Sequence, residues 1–195
     1  MPDPLPFITY TFVMSITPGP NNVMLTAAGA NFGFRRALPH MLGIACGFVV
    51  QLLSVCAGLS ALFARWPALQ SALGWVGAAY LVYLGWRMLR LESSAERAAS
   101  RPVSFLEAAA FQFLNPKAWV MTVTAATLFL PQELPWFARG LYMAGIAEGV
   151  GLPCMAVWAL FGSSLRGLLA APRGRRVFNA AMALALATTA VMMVR

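Results

Sequence analysis

Charge is scarce in this sequence. Asp, Glu, Lys and Arg make up 10% of its 195 residues, against 60% hydrophobic residues. A water-soluble domain normally devotes about 25% of its residues to charge. Too little polar material is present to cover a soluble surface, and the mean hydropathy of +0.71 agrees. Much of the exterior must face lipid. Acidic residues are scarcer still, six against fourteen basic, for a net charge of +8. Such an excess can mark a nucleic-acid partner. Here, however, the arginines lie between apolar runs rather than in a patch interleaved with aromatics. Membrane topology accounts for them, and no nucleic-acid partner is expected.

Histidine and cysteine are nearly absent. The one histidine, His40, lies beside Arg35 and Arg36 at a membrane interface and reads as a solvated loop residue. With no Ser–His–Asp set and no metal-ligand cluster, hydrolytic and metal chemistry lack their parts. No enzyme activity, cofactor or metal is expected. The three cysteines, Cys46, Cys56 and Cys154, are odd in number, form no CxxC and sit inside apolar runs. They read as small buried hydrophobes. The alternative, a membrane-embedded thiol oxidoreductase or electron carrier, needs two thiols able to meet.

Long apolar runs, by contrast, are plentiful. A helix needs about 20 mostly apolar residues to cross the hydrocarbon. Six candidates meet that length: 7–32, 39–63, 68–89, 105–130, 137–161 and 177–194. The start of the chain holds Asp3 and no early Lys or Arg, so it reads as the first membrane helix rather than a signal peptide. Arginines then sort by connection. Arg35, Arg36, Arg87, Arg90, Arg97, Arg101, Arg166, Arg173, Arg175 and Arg176 follow helices one, three and five; Arg65, Arg139 and Arg195 lie on the opposite side. Basic loops stay cytoplasmic, which predicts both termini on the outer face. Trp66, Trp75, Trp86, Trp136 and Tyr142 read as an interfacial aromatic belt, while Tyr80 and Tyr83 lie deeper.

The chain also repeats itself. Gly43-Ile44-Ala45-Cys46-Gly47 in the second span matches Gly145-Ile146-Ala147-Glu148-Gly149 in the fifth. The first span is broken by Thr17-Pro18-Gly19-Pro20-Asn21-Asn22, and the fourth by Asn115-Pro116-Lys117. A three-helix unit has an odd number of crossings, so its second copy enters the membrane inverted. The expectation is an all-α integral membrane protein. Its six transmembrane helices form an inverted repeat of two three-helix halves, 1–90 and 105–195, with helices one and four broken. Residues 91–104 form the cytoplasmic linker between the halves. Inverted repeats with paired broken helices are a transporter plan, with binding near the midplane where the breaks meet. A non-transporting membrane scaffold is a further alternative, but it would have no use for Lys117 or Glu148.

The breaks carry the candidate site. Pro18 and Pro20 donate no backbone hydrogen bond, and Gly19 tolerates unusual dihedrals. Carbonyls one turn earlier therefore lose partners in a medium where an orphan group costs several kcal/mol. A plain helix kink would need no more than that. Asn21 and Asn22 add amides able to hold both ends of a zwitterion, and the half-helix after the break offers its positive end to an anion. Lys117 lies too deep in its span for snorkelling to explain; it could bind a substrate carboxylate, pair with Glu148 or titrate. Glu148, at the position of Cys46, is the one acid in the middle of a span and could carry a proton from one side to the other. Gln51 and Gln112 are lining candidates or interhelical hydrogen bonders. The Gly29/Gly33, Gly43/Gly47 and Gly145/Gly149 pairs read as helix-packing positions.

These pieces in register, with Tyr80-Leu81-Val82-Tyr83-Leu84-Gly85-Trp86-Arg87, Phe113-Leu114-Asn115-Pro116-Lys117-Ala118 and Leu130-Pro131-Gln132, resemble the LysE/RhtB family of amino-acid exporters over nearly the whole chain. The resemblance implies export of amino acids or their derivatives across the bacterial inner membrane by proton antiport. Its substrates vary, from lysine and arginine to threonine, homoserine, leucine and cysteine derivatives. A basic substrate would favour more intramembrane acid than one Glu, so a neutral amino acid is expected here. The expected partners are thus that small molecule, protons and the lipid bilayer, with a homo-oligomer left open.

Overall fold

A computed structural model describes residues 3–59, 65–90, 101–131 and 133–194. Among these residues the chain forms eight α-helices: α1 (Leu5–Ile16), α2 (Pro20–Phe32), α3 (Phe34–Cys56), α4 (Pro67–Leu89), α5 (Phe105–Gln112), α6 (Pro116–Leu128), α7 (Trp136–Ser164) and α8 (Pro172–Met193), with a 3-10 turn at Leu168–Ala170. Proline opens α2, α4, α6 and α8, where its missing N–H costs nothing and its fixed φ suits the first turn. Ser104 opens α5: its hydroxyl accepts from the Glu107 amide while the Glu107 carboxylate accepts from the Ser104 amide, a capping box.

Helices α3, α4 and α8 and most of α7 are long and apolar enough to cross a membrane. The expected first and fourth spans are each divided, into α1 with α2 and into α5 with α6. The expected second span begins earlier than its hydropathy suggests. Gly33 adopts φ +89° between α2 and α3, a left-handed conformation that glycine alone reaches without strain, and α3 starts directly after it. This corrects the reading of His40: it lies inside α3 with its side chain fully buried, not in a solvated loop. Most of the expected linker, 91–100, and the end of the expected second span, 60–64, fall outside the described residues.

Helix α7 packs on α1, α2 and α3; α5 and α6 pack on α3; α8 packs on α4. Leu25, Ile44, Ala108, Met155 and Ala159 form one buried cluster, and Leu81, Leu84, Phe111 and Leu186 another. On the outside, Leu106, Leu128, Leu184 and Met192 are each more than two-thirds exposed, an apolar exterior suited to lipid.

Close backbone approach depends on glycine at two seams. A Cβ on Gly29 would collide with the Ala159 carbonyl, and one on Gly162 with that of Thr26, so α2 and α7 meet backbone to backbone. Likewise a Cβ on Gly43 or Gly47 would strike the carbonyls of Phe105 or Ala109, seating α5 on α3. The expected third pair behaves differently. Gly145 and Gly149 are exposed, with no atom within 4 Å of a Cβ built there. Their spacing is right, but their face of α7 points away from the rest of the described chain.

Candidate functional site at the paired helix breaks

Both breaks are held by side chains that replace lost backbone bonds. At the first, Pro18 has no N–H for the Met14 carbonyl, and the Thr17 hydroxyl donates to it instead at 3.1 Å. Buried Asn22 reaches back from α2 and donates to the carbonyls of Ser15 and Thr17, both at 2.8 Å. At the second, the Asn115 side chain accepts from the Lys117 amide at 3.1 Å, capping α6. Trp119 donates to the Phe113 carbonyl and Gln51 to the Gln112 carbonyl, each at 2.9 Å. Orphan carbonyls in an apolar medium are thereby satisfied from within the protein.

The two breaks are also tied to each other. Asn21 donates to Gln112 Oε1 at 2.9 Å and Gln112 returns a bond to Asn21 Oδ1 at 3.3 Å, a reciprocal amide pair. Lys117 spans the gap with its ammonium: Nζ donates to the Thr17 carbonyl at 2.9 Å, Thr17 Oγ1 at 3.0 Å and the Pro18 carbonyl at 3.2 Å. Gly19 lets it pass, because a Cβ there would lie 2.8 Å from Lys117 Cδ.

Beside these ties lies a cavity of about 60 Å³, room for a few water molecules. Its wall includes Gly19, Pro20, Asn21, Asn22, Asn115, Lys117 and Glu148. Glu148 carries the cavity's carboxylate, and its Oε2 is buried with no hydrogen-bond partner among the described residues. Lys117 and Glu148 are not ion-paired; the lysine is engaged by break carbonyls instead.

Of the residues expected from sequence, Pro18, Gln51, Gln112 and Pro116 do not line this cavity. Gln51 and Gln112 are fully buried behind it and act through hydrogen bonds, and Pro116 lines a separate groove with Trp75 and Trp119. Sequence reasoning missed Thr11, Met14 and Ser15 of α1, Ile44 and Phe48 of α3, Met121 of α6 and Met155 of α7, all in the wall. Their i, i+3, i+4 spacing on α1 was the available signal. The cysteines stand apart from it: Cys46 is exposed, Cys154 buried, and neither is in the wall.

At the arginine-rich end, Arg101 grips Glu107 through two hydrogen bonds, at 2.6 and 2.9 Å. That carboxylate pushes the Arg101 guanidinium further above its ordinary value. Arg87 joins by donating to the Arg101 carbonyl at 3.2 Å. The group fixes the chain entering α5.

The chain is thus an apolar-surfaced helical bundle with a largely apolar cavity at two facing helix breaks, into which Asn21, Asn22, Asn115, Lys117 and Glu148 bring polar groups. The chain belongs to the LysE type translocator family, whose sequence profile matches residues 12–195. Among similar proteins, the cysteine/O-acetylserine efflux protein of Salmonella typhimurium (strain LT2) is 36% identical over 160 residues, covering 80% of each chain. The cysteine/O-acetylserine efflux protein of Escherichia coli (strain K12) is 35% identical over the same length, again with 80% of each covered. No solved structure matches the chain. With its apolar helices, this membership makes it a multi-pass bacterial membrane protein of the translocator type.

Proposed function

We propose that this protein is a secondary active exporter of neutral amino acids or their derivatives, driven by proton antiport and working by alternating access in the inner membrane. The observation that carries the reading is the cavity at the breaks, with one carboxylate, Glu148, and one ammonium, Lys117, in its wall. A neutral amino acid is a zwitterion and carries the complementary pair of charges; a basic one would bring an unmatched cation. The efflux proteins it resembles are named for cysteine and O-acetylserine, both of this kind. Glu148 is the group assigned to proton coupling, since a carboxylate facing the substrate can trade a proton for the substrate ammonium.

Alternating access in this proposal uses the two halves as an inverted repeat, 1–90 and 105–195 joined by 91–104, with both termini on the outer face. Support comes from the packing. Exchanging the halves maps α1–α7 onto α5–α3 and α2–α7 onto α6–α3, and all four contacts exist; α3–α7 and α4–α8 map onto themselves. Support comes equally from where the mapping fails. On α3, Gly43 and Gly47 are buried and Cys46 is exposed; on α7, Gly145 and Gly149 are exposed while Glu148 lines the cavity. Helix α7 thus leaves uncovered, among the described residues, the glycine face that its counterpart buries, while Met143, Ala147 and Cys154 are buried like Met41, Ala45 and Leu52. A repeat caught in one state of a two-state cycle departs from symmetry in this manner, because the halves exchange conformations between states.

The test is transport by the purified protein in proteoliposomes under an imposed pH gradient. Labelled cysteine and O-acetylserine are expected to move, and lysine and arginine much less. Gradient-independent equilibration would remove proton antiport, and preference for the basic pair would remove the neutral assignment.

A further inference from the structure

An ammonium has three N–H donors and no more, and all three of Lys117's are taken by Thr17 and Pro18. Lys117 is also the one cation among the cavity-lining residues. A carboxylate arriving in the cavity therefore cannot bond Lys117 without displacing a contact already made. Those contacts tie α6, in one half of the chain, to the break between α1 and α2 in the other. The second tie between the breaks, Asn21 with Gln112, is neutral and reciprocal, so an incoming charge has less hold on it.

We propose that Lys117 works as a substrate-released latch. In the empty protein its ammonium fastens α6 to the break at Thr17 and Pro18; the substrate carboxylate takes over its donors and frees that break to bend. The proposal deepens the transport reading above and rests on it. A ligand moves a conformational equilibrium only through contacts it makes better in one state, and the carboxylate–ammonium contact is of that kind. It is formed in full when the latch is open. Gly19 fits the same logic, since the lysine stem crosses the space a side chain would fill. The hinge and the latch meet at one residue.

The test uses the full chain in lipid nanodiscs, with O-acetyl-L-serine as probe and 2-aminoethyl acetate, its counterpart without the carboxylate, as control. Hydrogen exchange is followed over residues 12–24 and binding is measured in parallel. In the native protein, saturating O-acetyl-L-serine should speed exchange across the break by about tenfold, and the control amine should not. Lys117→Met should exchange fast with no ligand and respond no further. Lys117→Arg has five donors and can hold a carboxylate without letting go. It should keep binding within about threefold while turnover falls by about tenfold, a split that a merely structural role would not produce.

Saturable binding without a change in exchange would overturn the latch and leave the transport reading standing. So would native-like exchange in ligand-free Lys117→Met, or binding and turnover falling together in Lys117→Arg. If Lys117→Met fails to fold, the arginine variant decides. Absence of binding and flux for every amino acid tried would instead strike the transport reading itself, and the latch with it.

Discussion

Gly19 is bare because Lys117 passes over it, and this small fact explains much of the first break. Gly19→Ala puts a methyl group 2.8 Å from Lys117 Cδ, so the lysine must shift from its three acceptors. The protein should still fold, since Gly19 is in extended backbone that alanine adopts freely, but transport should fall by roughly tenfold. Flux per folded molecule in proteoliposomes measures this. Asn22 is the opposite case, a stability residue. Asn22→Ala strands the Ser15 carbonyl and removes one of two donors to Thr17, which should cost about 1–3 kcal/mol and lower the melting temperature in detergent. A native melting curve would contradict that role. The breaks were legible in sequence because proline removes a donor wherever it stands. The partner of the first break was not, because Lys117 lies a hundred residues on and only the fold brings it there. Asn21, Asn22 and Glu148 were found by type and depth; Met14, Met121 and Met155 were not, since methionine in a membrane helix carries no signal of its own.

Helices α3 and α7 share a sequence pattern, but among the described residues only α3 has a neighbour on its glycine face. GxxxG spacing identified both glycine pairs, yet spacing records nothing about which side a neighbour occupies. Only Gly43 and Gly47 meet one. Gly43→Leu should therefore drive α5 off α3 and destabilise the fold by about 1–3 kcal/mol. Gly145→Leu meets nothing in this state and should melt like the native protein. If the halves exchange conformations, the leucine at 145 obstructs the other state, and flux should drop without loss of stability. Normal flux in that variant would count against the exchange. The same dependence on context misled the reading of His40. Hydropathy put the helix start at residue 39, whereas Gly33, by taking a positive φ, starts α3 at Phe34 and carries the histidine into the interior.

At the scale of the whole molecule, the arginines fix the expected orientation. Arg166 approaches Gly33, and Arg87 and Arg101 line a groove with the neighbouring Asn31 and Phe32, so basic residues from separate connections gather at one end of the bundle. Under the positive-inside rule that end is expected to face the cytoplasm, in line with the proposed orientation. Reporter fusions after residues 98 and 195 should report inside and outside respectively; a cytoplasmic C-terminus would contradict the two inverted halves. The proposed mechanism uses no thiol, so replacing Cys46, Cys56 and Cys154 together with alanine should leave flux within about twofold of native, with stability slightly lowered by the loss at buried Cys154. Loss of flux in a folded cysteine-free protein would return attention to redox chemistry. Glu148 is assigned the coupling of substrate to proton. That role is tested most directly by recording substrate efflux and internal pH together in proteoliposomes holding the native protein or Glu148→Gln. Native efflux should be matched by proton entry and rise with the gradient, while Glu148→Gln should lose gradient-driven efflux. Undiminished gradient-driven efflux in Glu148→Gln would contradict that role.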